Sequence, residues 1–231
     1  YTDVLITITE EDYAAAQKFK LRSGQKPYLV HGAGVRVGVK VQVDRASKRK
    51  SIGIPENAFV IVSAGELNKN KNTEVVVKAL KEVPEAHYIA CGVGPEEENL
   101  KKLAEELGVA DRFHLLGYRT DMPQLMAASD VFTMMSFREG MPRSLLEAMD
   151  IGLPCVGSDT RGIRDLIDSD GGYICSPKDP HAFANAFNLL MNDRDLGRKM
   201  GIHNQGKVQD YSAEVVKKEL YEIYKKTFDN K

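Results

Sequence analysis

Asp130-Val-Phe-Thr-Met-Met135 is a short apolar run, and Arg138-Glu139-Gly140-Met141-Pro142-Arg143-Ser144-Leu145-Leu146-Glu147-Ala148-Met149 follows it almost at once. The first run has strand character. In the second, Pro142 suits the first position of a helix, where its missing N–H costs nothing, and Leu145, Leu146 and Met149 supply one apolar face. The unit reads strand, loop, helix, with Glu139 in the loop and Glu147 inside the helix. At the carboxyl edge of such a strand the helix start offers unpaired N–H groups and a positive dipole end, which attract an anion such as a pyrophosphate. Neither carboxylate suits phosphate oxygens. Each can accept paired hydrogen bonds from sugar hydroxyls, Glu147 from a ribose and Glu139 from a second sugar.

Working outward, the same alternation recurs along the chain. Ala58 to Ala64 is a continuous apolar strand, and Glu74 to Val83 carries a helical pattern that Pro84 ends. His87 to Cys91 is the next strand, after which Leu100, Leu103, Ala104 and Leu107 fall at helical spacing before Gly108, a natural residue to close a helix. Phe113 to Leu116 is a third strand. Asp121 is placed to cap a short helix through Ala128, with Pro123 in its first turn. Strands at Val131, at Pro154 to Gly157 and at Tyr173 to Cys175 bring the number to about six. Continuous apolar strands separated by helices predict an α/β fold, a doubly wound, Rossmann-like parallel sheet covered on both faces, with ligands at the carboxyl ends of its strands.

Two other pieces flank this core. Asp3 to Thr7 is strand-like, Thr9 can cap a helix over Glu10 to Phe19, and Tyr28 to His31 is strand-like again. A glycine-rich linker, His31 to Lys40, follows. Near the other end Ser212 caps a helix whose Val216, Leu220, Ile223 and Tyr224 make one apolar stripe.

The balance of charge narrows the function classes. The 231 residues carry 32 basic and 33 acidic side chains, a formal net charge of −1, which gives no general electrostatic case for nucleic acid. Two basic clusters, Lys48-Arg49-Lys50 and Lys217-Lys218 with Lys225-Lys226, read as solvated helix faces or as contacts to an anionic membrane surface. Cys91, Cys155 and Cys175 lie unequally spaced in apolar runs, as buried thiols do. With no signal peptide and no apolar stretch long enough for a bilayer, the expected location is cytoplasmic, the inner face of a membrane included. Tyr1 in place of Met suggests a piece of a longer chain. The histidines form no zinc spacing: His87 and His114 fall in strands as core residues, His181 and His203 on helices, and only His31 lies near an expected cleft.

The spacing of Glu139 and Glu147, with Gly140-Met141-Pro142 after the first, resembles the donor-site motif of retaining glycosyltransferases of family 4, among them transferases of capsular and exopolysaccharide synthesis. The resemblance covers roughly residues 28–231 and is strongest from Gly117 to Ile167. It implies a two-domain GT-B enzyme, of which residues 1–40 are the end of the acceptor domain and a linker, 41–211 the nucleotide-sugar domain, and 212–231 a helix crossing back. It implies a uridine diphosphate sugar as donor, with no cofactor and no metal, and a saccharide or lipid-linked acceptor held mainly by a domain absent from this chain, so that this piece alone is inactive. Glu139 would face the donor sugar as the catalytic carboxylate and Glu147 the ribose, with Gly140, Met141, Pro142 and Arg143 around them. Lys71 matches a lysine that usually neutralises the pyrophosphate. Glu66 stands where an arginine is usual, which leaves Lys69, Arg138 or Arg143 to supply the second cation. Arg119 falls where the nucleobase is met, and either stacks on it or forms a surface salt bridge. Gly92-Val93-Gly94-Pro95 is a structural turn, and Arg161-Gly162 with Asp165 resembles a further loop of the family. Arg36 and Lys40 depart from the usual linker. A sugar-nucleotide epimerase of the same fold and a non-catalytic nucleotide-binding module are the alternatives.

Overall fold

The computed structural model describes residues 2–22, 24–32 and 34–229; Tyr1, Ser23, Ala33, Asn230 and Lys231, which belong to the predicted flanking segments and linker, lie outside the described residues. The chain opens with a small parallel unit, β1 (Ile6–Thr7), α1 (Glu10–Ala16) and β2 (Tyr28–Leu29). Thr9 caps α1 as predicted, its side chain accepting from the Asp12 N–H. The helix ends three residues before Phe19, which is exposed.

The remaining elements are α2 (Arg45–Ser51), β3 (Phe59–Ala64), α3 (Glu74–Ala79), β4 (Ala86–Cys91), α4 (Glu97–Glu106), β5 (Phe113–Leu115), α5 (Met122–Ala127), β6 (Val131–Met134), α6 (Arg143–Ile151), β7 (Cys155–Ser158), α7 (Ile163–Leu166), β8 (Gly172–Cys175), α8 (Pro180–Asn192), α9 (Arg194–Lys207) and α10 (Ala213–Asp229). Strands β3 to β8 form one parallel sheet in the order β5-β4-β3-β6-β7-β8. The chain winds outward from β3 to β5, then returns to β6 beside β3. Between β3 and β6 the order reverses, and open α/β sheets bind ligands at that crevice.

Both sheet faces are buried because neighbouring strand residues feed opposite layers. Phe59 and Ile61 join one core with Val76, Leu80 and Phe187; Val60 and Val62 join the other with Leu125, Leu145 and Met149. Gly108 closes α4 as predicted. Its N–H donates to Glu105 O and the Val109 N–H to Ala104 O, a reciprocal pair that uses its left-handed φ of 68°.

Several local expectations shift for physical reasons. Pro142 is the residue before α6, with extended backbone, and Arg143 is the first helical residue. Asp121 precedes α5 but does not cap it, because its carboxylate is taken by Arg119 and Lys48. The Lys48-Arg49-Lys50 cluster is not a solvated face: Arg49 is buried, bonded to three carbonyls and to Asp130, and Lys48 is half-buried on Asp121. His87 and His114 are half-buried rather than core, and bond to each other at 2.9 Å. In α10, Val216 and Ile223 pack with Leu220 on Val30, Ile6 and Tyr28, whereas Tyr224 points outward and stacks on Phe228.

The linker is fastened at both ends. His31 meets Glu219 of α10 through its backbone N–H at 3.0 Å and its ring at 2.5 Å. Further along, the N–H groups of Gly38 and Val39 donate to the buried Asp150 carboxylate of α6 at 2.7 and 3.1 Å. Arg36 and Lys40 are exposed.

Candidate active site

Two loops meet at the reversal point. The loop after β3 runs from Gly65 to Thr73, and that after β6 from Met135 to Pro142. Asn72 locks them together from a left-handed φ of 54°: its buried side-chain amide donates to Met135 O at 3.2 Å and to Pro177 O at 2.7 Å. Asn70 adds a second tie, accepting the Phe137 N–H at 2.8 Å and donating from its side chain to Arg138 O at 3.1 Å. Between these ties Lys71 Nζ donates to Glu139 Oε1 at 2.7 Å, a pair formed across 68 residues of sequence. The side chains are 27 % and 13 % exposed, so the pair is shielded yet reachable.

Neighbouring backbone backs this arrangement. At Gly162 the φ is 77°, and a side chain's first carbon would fall 1.8 Å from Gly140 O, so only glycine allows the turn after β7 to brace the Glu139-Gly140 segment. Gly92 and Gly94 likewise lie against the backbone of the Gly65–Leu67 loop, in keeping with a structural turn. Gly140 lies near Ile8, and Met141 packs against Gly32 of the linker, which brings the N-terminal unit up to the motif. Arg161 pairs with Asp12, and Asp165 accepts the Glu10 N–H, closing the same seam.

No side chain caps α6, and in its first turn the Ser144 hydroxyl donates to Ala64 O at 3.2 Å, which sets the helix start against the end of β3. The uncapped N–H groups and the helix dipole favour an anion there. Arg143 opens the helix and Glu147 stands four residues on; both are exposed. Desolvation raises the Glu147 pKa above its ordinary value, with the charge of Arg143 opposing. Glu147 makes no hydrogen bond or ion pair among the described residues, which leaves its carboxylate open to a ligand's hydroxyls. Lys69, Arg138, Arg143 and Glu66 all point to solvent, and Glu66 accepts from the Asn68 amide at 2.9 Å.

A cleft of about 320 Å³ opens beside the junction, lined by Gly65, Gly92, Val93, Tyr118, Arg119 and Met122 among others. Its size suits a planar heterocycle. Arg119 is held flat by both oxygens of Asp121, at 2.8 and 2.7 Å, and Asp121 also accepts from Lys48 at 2.5 Å. The Arg119 hydrogen bonds hold the Asp121 carboxyl far below the usual carboxylate range. Arg119 therefore forms the salt bridge and still offers its guanidinium face to the cleft. Tyr118 and Val93, 79 % and 55 % exposed, complete the rim. Read from the sequence, Val93 belongs only to a structural turn and Tyr118 has no role, although an aromatic directly after Gly117 was the available signal. A larger cavity of about 510 Å³ lies between the start of α3 and the flank of α4 and contains neither motif carboxylate.

The chemistry available is recognition of a polar anion at α6, with a shielded carboxylate and lysine next to it. Among the described residues no three His, Cys, Asp or Glu side chains gather as a metal site needs. The chain is similar to several known proteins. EpsD of Bacillus subtilis, named as a glycosyltransferase, is 32 % identical over 237 residues, covering 99 % of this chain and 62 % of its own length. An Escherichia coli UDP-Gal:α-D-GlcNAc-diphosphoundecaprenol α-1,3-galactosyltransferase is 32 % identical over 157 residues, 64 % of this chain and 41 % of its own. This chain thus spans less than two thirds of the length of these relatives. Among solved structures, HepE of Anabaena, crystallised with UDP and glucose, superposes with a TM-score of 0.86 at 22 % identity over 98 % of this chain and 64 % of its own, which fixes the fold as that of a GT-B glycosyltransferase domain. Residues 44–207, from the cap of α2 to the end of α9 and including both site loops, match the family described as glycosyl transferases group 1, and the chain belongs to that family.

Proposed function

We propose that this chain is the donor-binding half of a retaining glycosyltransferase of family 4, which moves a sugar from a uridine diphosphate sugar to a polysaccharide or lipid-linked oligosaccharide. The observation that carries this reading is the meeting of Lys71 and Glu139 at the uncapped start of α6, with Glu147 in the same helix. In this reading the base occupies the cleft of Val93, Tyr118 and Arg119, and Glu147 accepts the ribose hydroxyls. The diphosphate lies on the N–H groups of α6 and on Lys71, and Glu139 holds the donor sugar. Gly140, Met141 and Pro142 shape the loop, and Arg143 supplies the cation that Glu66 does not. Catalysis then consists of positioning the sugar and stabilising the departing diphosphate, which cations and N–H donors do without an acid/base pair. Two names support the substrate class: the Escherichia coli relative takes its sugar from UDP-Gal onto a diphosphoundecaprenol-linked GlcNAc, and HepE was crystallised with UDP and glucose.

The acceptor is bound mainly by a first domain outside residues 1–231, so this piece alone transfers no sugar. The proposed place of work is the cytoplasm, the inner face of a membrane included. Glu66, an acid beside the phosphate loop, favours a second reading, a nucleotide-binding module without turnover. Calorimetry with UDP and a panel of UDP-hexoses separates the readings. Glu139→Gln leaves UDP affinity nearly unchanged and removes the extra affinity of the matching UDP-hexose. If both ligands weaken equally, Glu139 shapes the loop and does not read the sugar.

A further inference from the structure

The amino ends of the strands, opposite the motif loops, hold a second concentration of charge. Asp130, at the start of β6, receives four donors. Arg45 and Arg194 reach Oδ1 at 2.8 and 3.1 Å, and Arg49 and the Val60 N–H reach Oδ2, both at 2.8 Å. One carboxylate therefore serves three guanidinium groups. Arg49 is spent on this structure: its remaining N–H groups donate to the carbonyls of Ala128, Glu56 and Ala58. Burial lowers its pKa first, Asp130 opposes, and repulsion from Arg45 and Arg194 adds to the lowering. Arg45 also donates from Nη1 to Ala127 O and Ser129 O at 2.9 and 3.0 Å, yet its side chain is 47 % exposed; Arg194, 41 % exposed, shares its one carboxylate, Asp130, with both other arginines. Arg194 lies over the Phe59 ring, 4.7 Å from its centroid, a cation–π contact that holds it at the cavity floor. Arg198 stands one turn further along α9, 72 % exposed, with Asp195 as its partner. A cavity of about 440 Å³ opens over these groups, floored by Phe59, Leu153, Pro154 and Leu190, and four arginines line it against only Asp130 and Glu56.

A staple joining α2 to β6 needs one guanidinium; Arg49 already provides it. The two further arginines leave positive charge facing an open, partly desolvated cavity, where planar forks bind phosphate oxygens in pairs. We propose that this cavity is a second anion site, which takes a phosphate-bearing ligand on Arg45, Arg194 and Arg198, with the Arg49–Asp130 pair as the rigid floor that aims them. The volume exceeds that of inorganic phosphate and leaves room for the group it esterifies. A free phosphoester and a phospholipid headgroup share this chemistry. The proposal is independent of the donor assignment, since the cavity shares no residue with the motif loops.

The test is calorimetry with inorganic phosphate at low salt on the unaltered chain, on the double variant Arg45→Gln/Arg194→Gln, on Arg198→Gln and on Lys71→Ala. Sedimentation with phosphatidylcholine vesicles, with and without phosphatidylglycerol, forms the second arm. The unaltered chain and Lys71→Ala bind phosphate, the double variant binds at least tenfold more weakly, and added salt weakens binding steeply. Circular dichroism reports whether the double variant folds; Arg198→Gln, changed at an exposed position, gives a several-fold loss in either case. Vesicle binding that needs phosphatidylglycerol and these arginines assigns the headgroup, and phosphate binding without it assigns a free phosphoester. No saturable phosphate binding, affinity unchanged in the arginine variants, or a loss confined to Lys71→Ala overturns the proposal.

Discussion

Replacing Glu147 by Ala separates a ligand-reading carboxylate from an ordinary surface one. The side chain is exposed, and no hydrogen bond or ion pair to it is seen among the described residues. Its removal leaves no buried group unpaired, so stability changes by no more than about 0.5 kcal/mol. Hydrogen bonds to a charged group contribute about 1.5–3 kcal/mol, so losing the ribose contact weakens UDP binding by about 10- to 140-fold. The pH dependence has a definite sign. Desolvation raises the folded-state pKa of Glu147 above its ordinary value, so the folded state holds this proton more tightly than the unfolded chain, and stability from this group falls as pH rises through that window. Glu147→Gln is therefore neutral to slightly stabilising at pH 7, while UDP binding weakens by no more than in Glu147→Ala. In the unaltered chain UDP affinity falls as pH drops through the raised pKa, because the protonated carboxyl accepts less well. Calorimetry at pH 7 and pH 5, with thermal unfolding alongside, measures both effects. A folded Glu147→Ala chain with unchanged UDP affinity makes Glu147 an ordinary surface residue.

Two further outcomes follow from the geometry. Gly162→Ala places a methyl group on Gly140 O at a φ of 77°, and costs about 2 kcal/mol or more in thermal unfolding. Because the displaced backbone carries Glu139, it also weakens binding of a UDP-hexose, whereas Gly206→Ala, where nothing lies within 4 Å, does neither. Asp168 accepts from Lys207 and His203, and although burial opposes them these bonds bring its pKa down to about 2. A depressed carboxylate stabilises the fold above its ordinary pKa of 3.8 and loses that contribution as pH falls toward 2, so Asp168→Asn flattens acid unfolding in that window. The side chain is 41 % exposed, and screening keeps the effect below about 1 kcal/mol.

The sheet was legible because its strands are buried on both faces and read as unbroken apolar runs; β3 and β4 fall within one residue of the runs that announce them. The α6 motif was legible for a similar reason, since Gly and Pro next to an apolar stripe leave little choice of local structure. Reading failed where a partner lies far away in sequence. Nothing local in Lys48-Arg49-Lys50 reveals that Asp130, 81 residues on, draws Arg49 into the interior. Asp121 looked like a cap because nothing local reveals that Lys48, 73 residues back, takes its carboxylate together with the neighbouring Arg119. Tyr224 fits the helical period, but the small unit that α10 covers accommodates Val216, Leu220 and Ile223 and leaves no place for it. The Lys71–Glu139 pair joins two loops that the sequence named separately; only the sheet order brings them together.

The central claim is that this domain holds a nucleoside diphosphate on the start of α6 by N–H groups and side chains alone. Calorimetric titration of the chain with UDP, with and without a chelator, tests it most directly. UDP binds saturably and with equal affinity in both titrations, and Lys71→Ala binds it more weakly. No saturable binding, or binding that disappears when divalent ions are chelated, would contradict it.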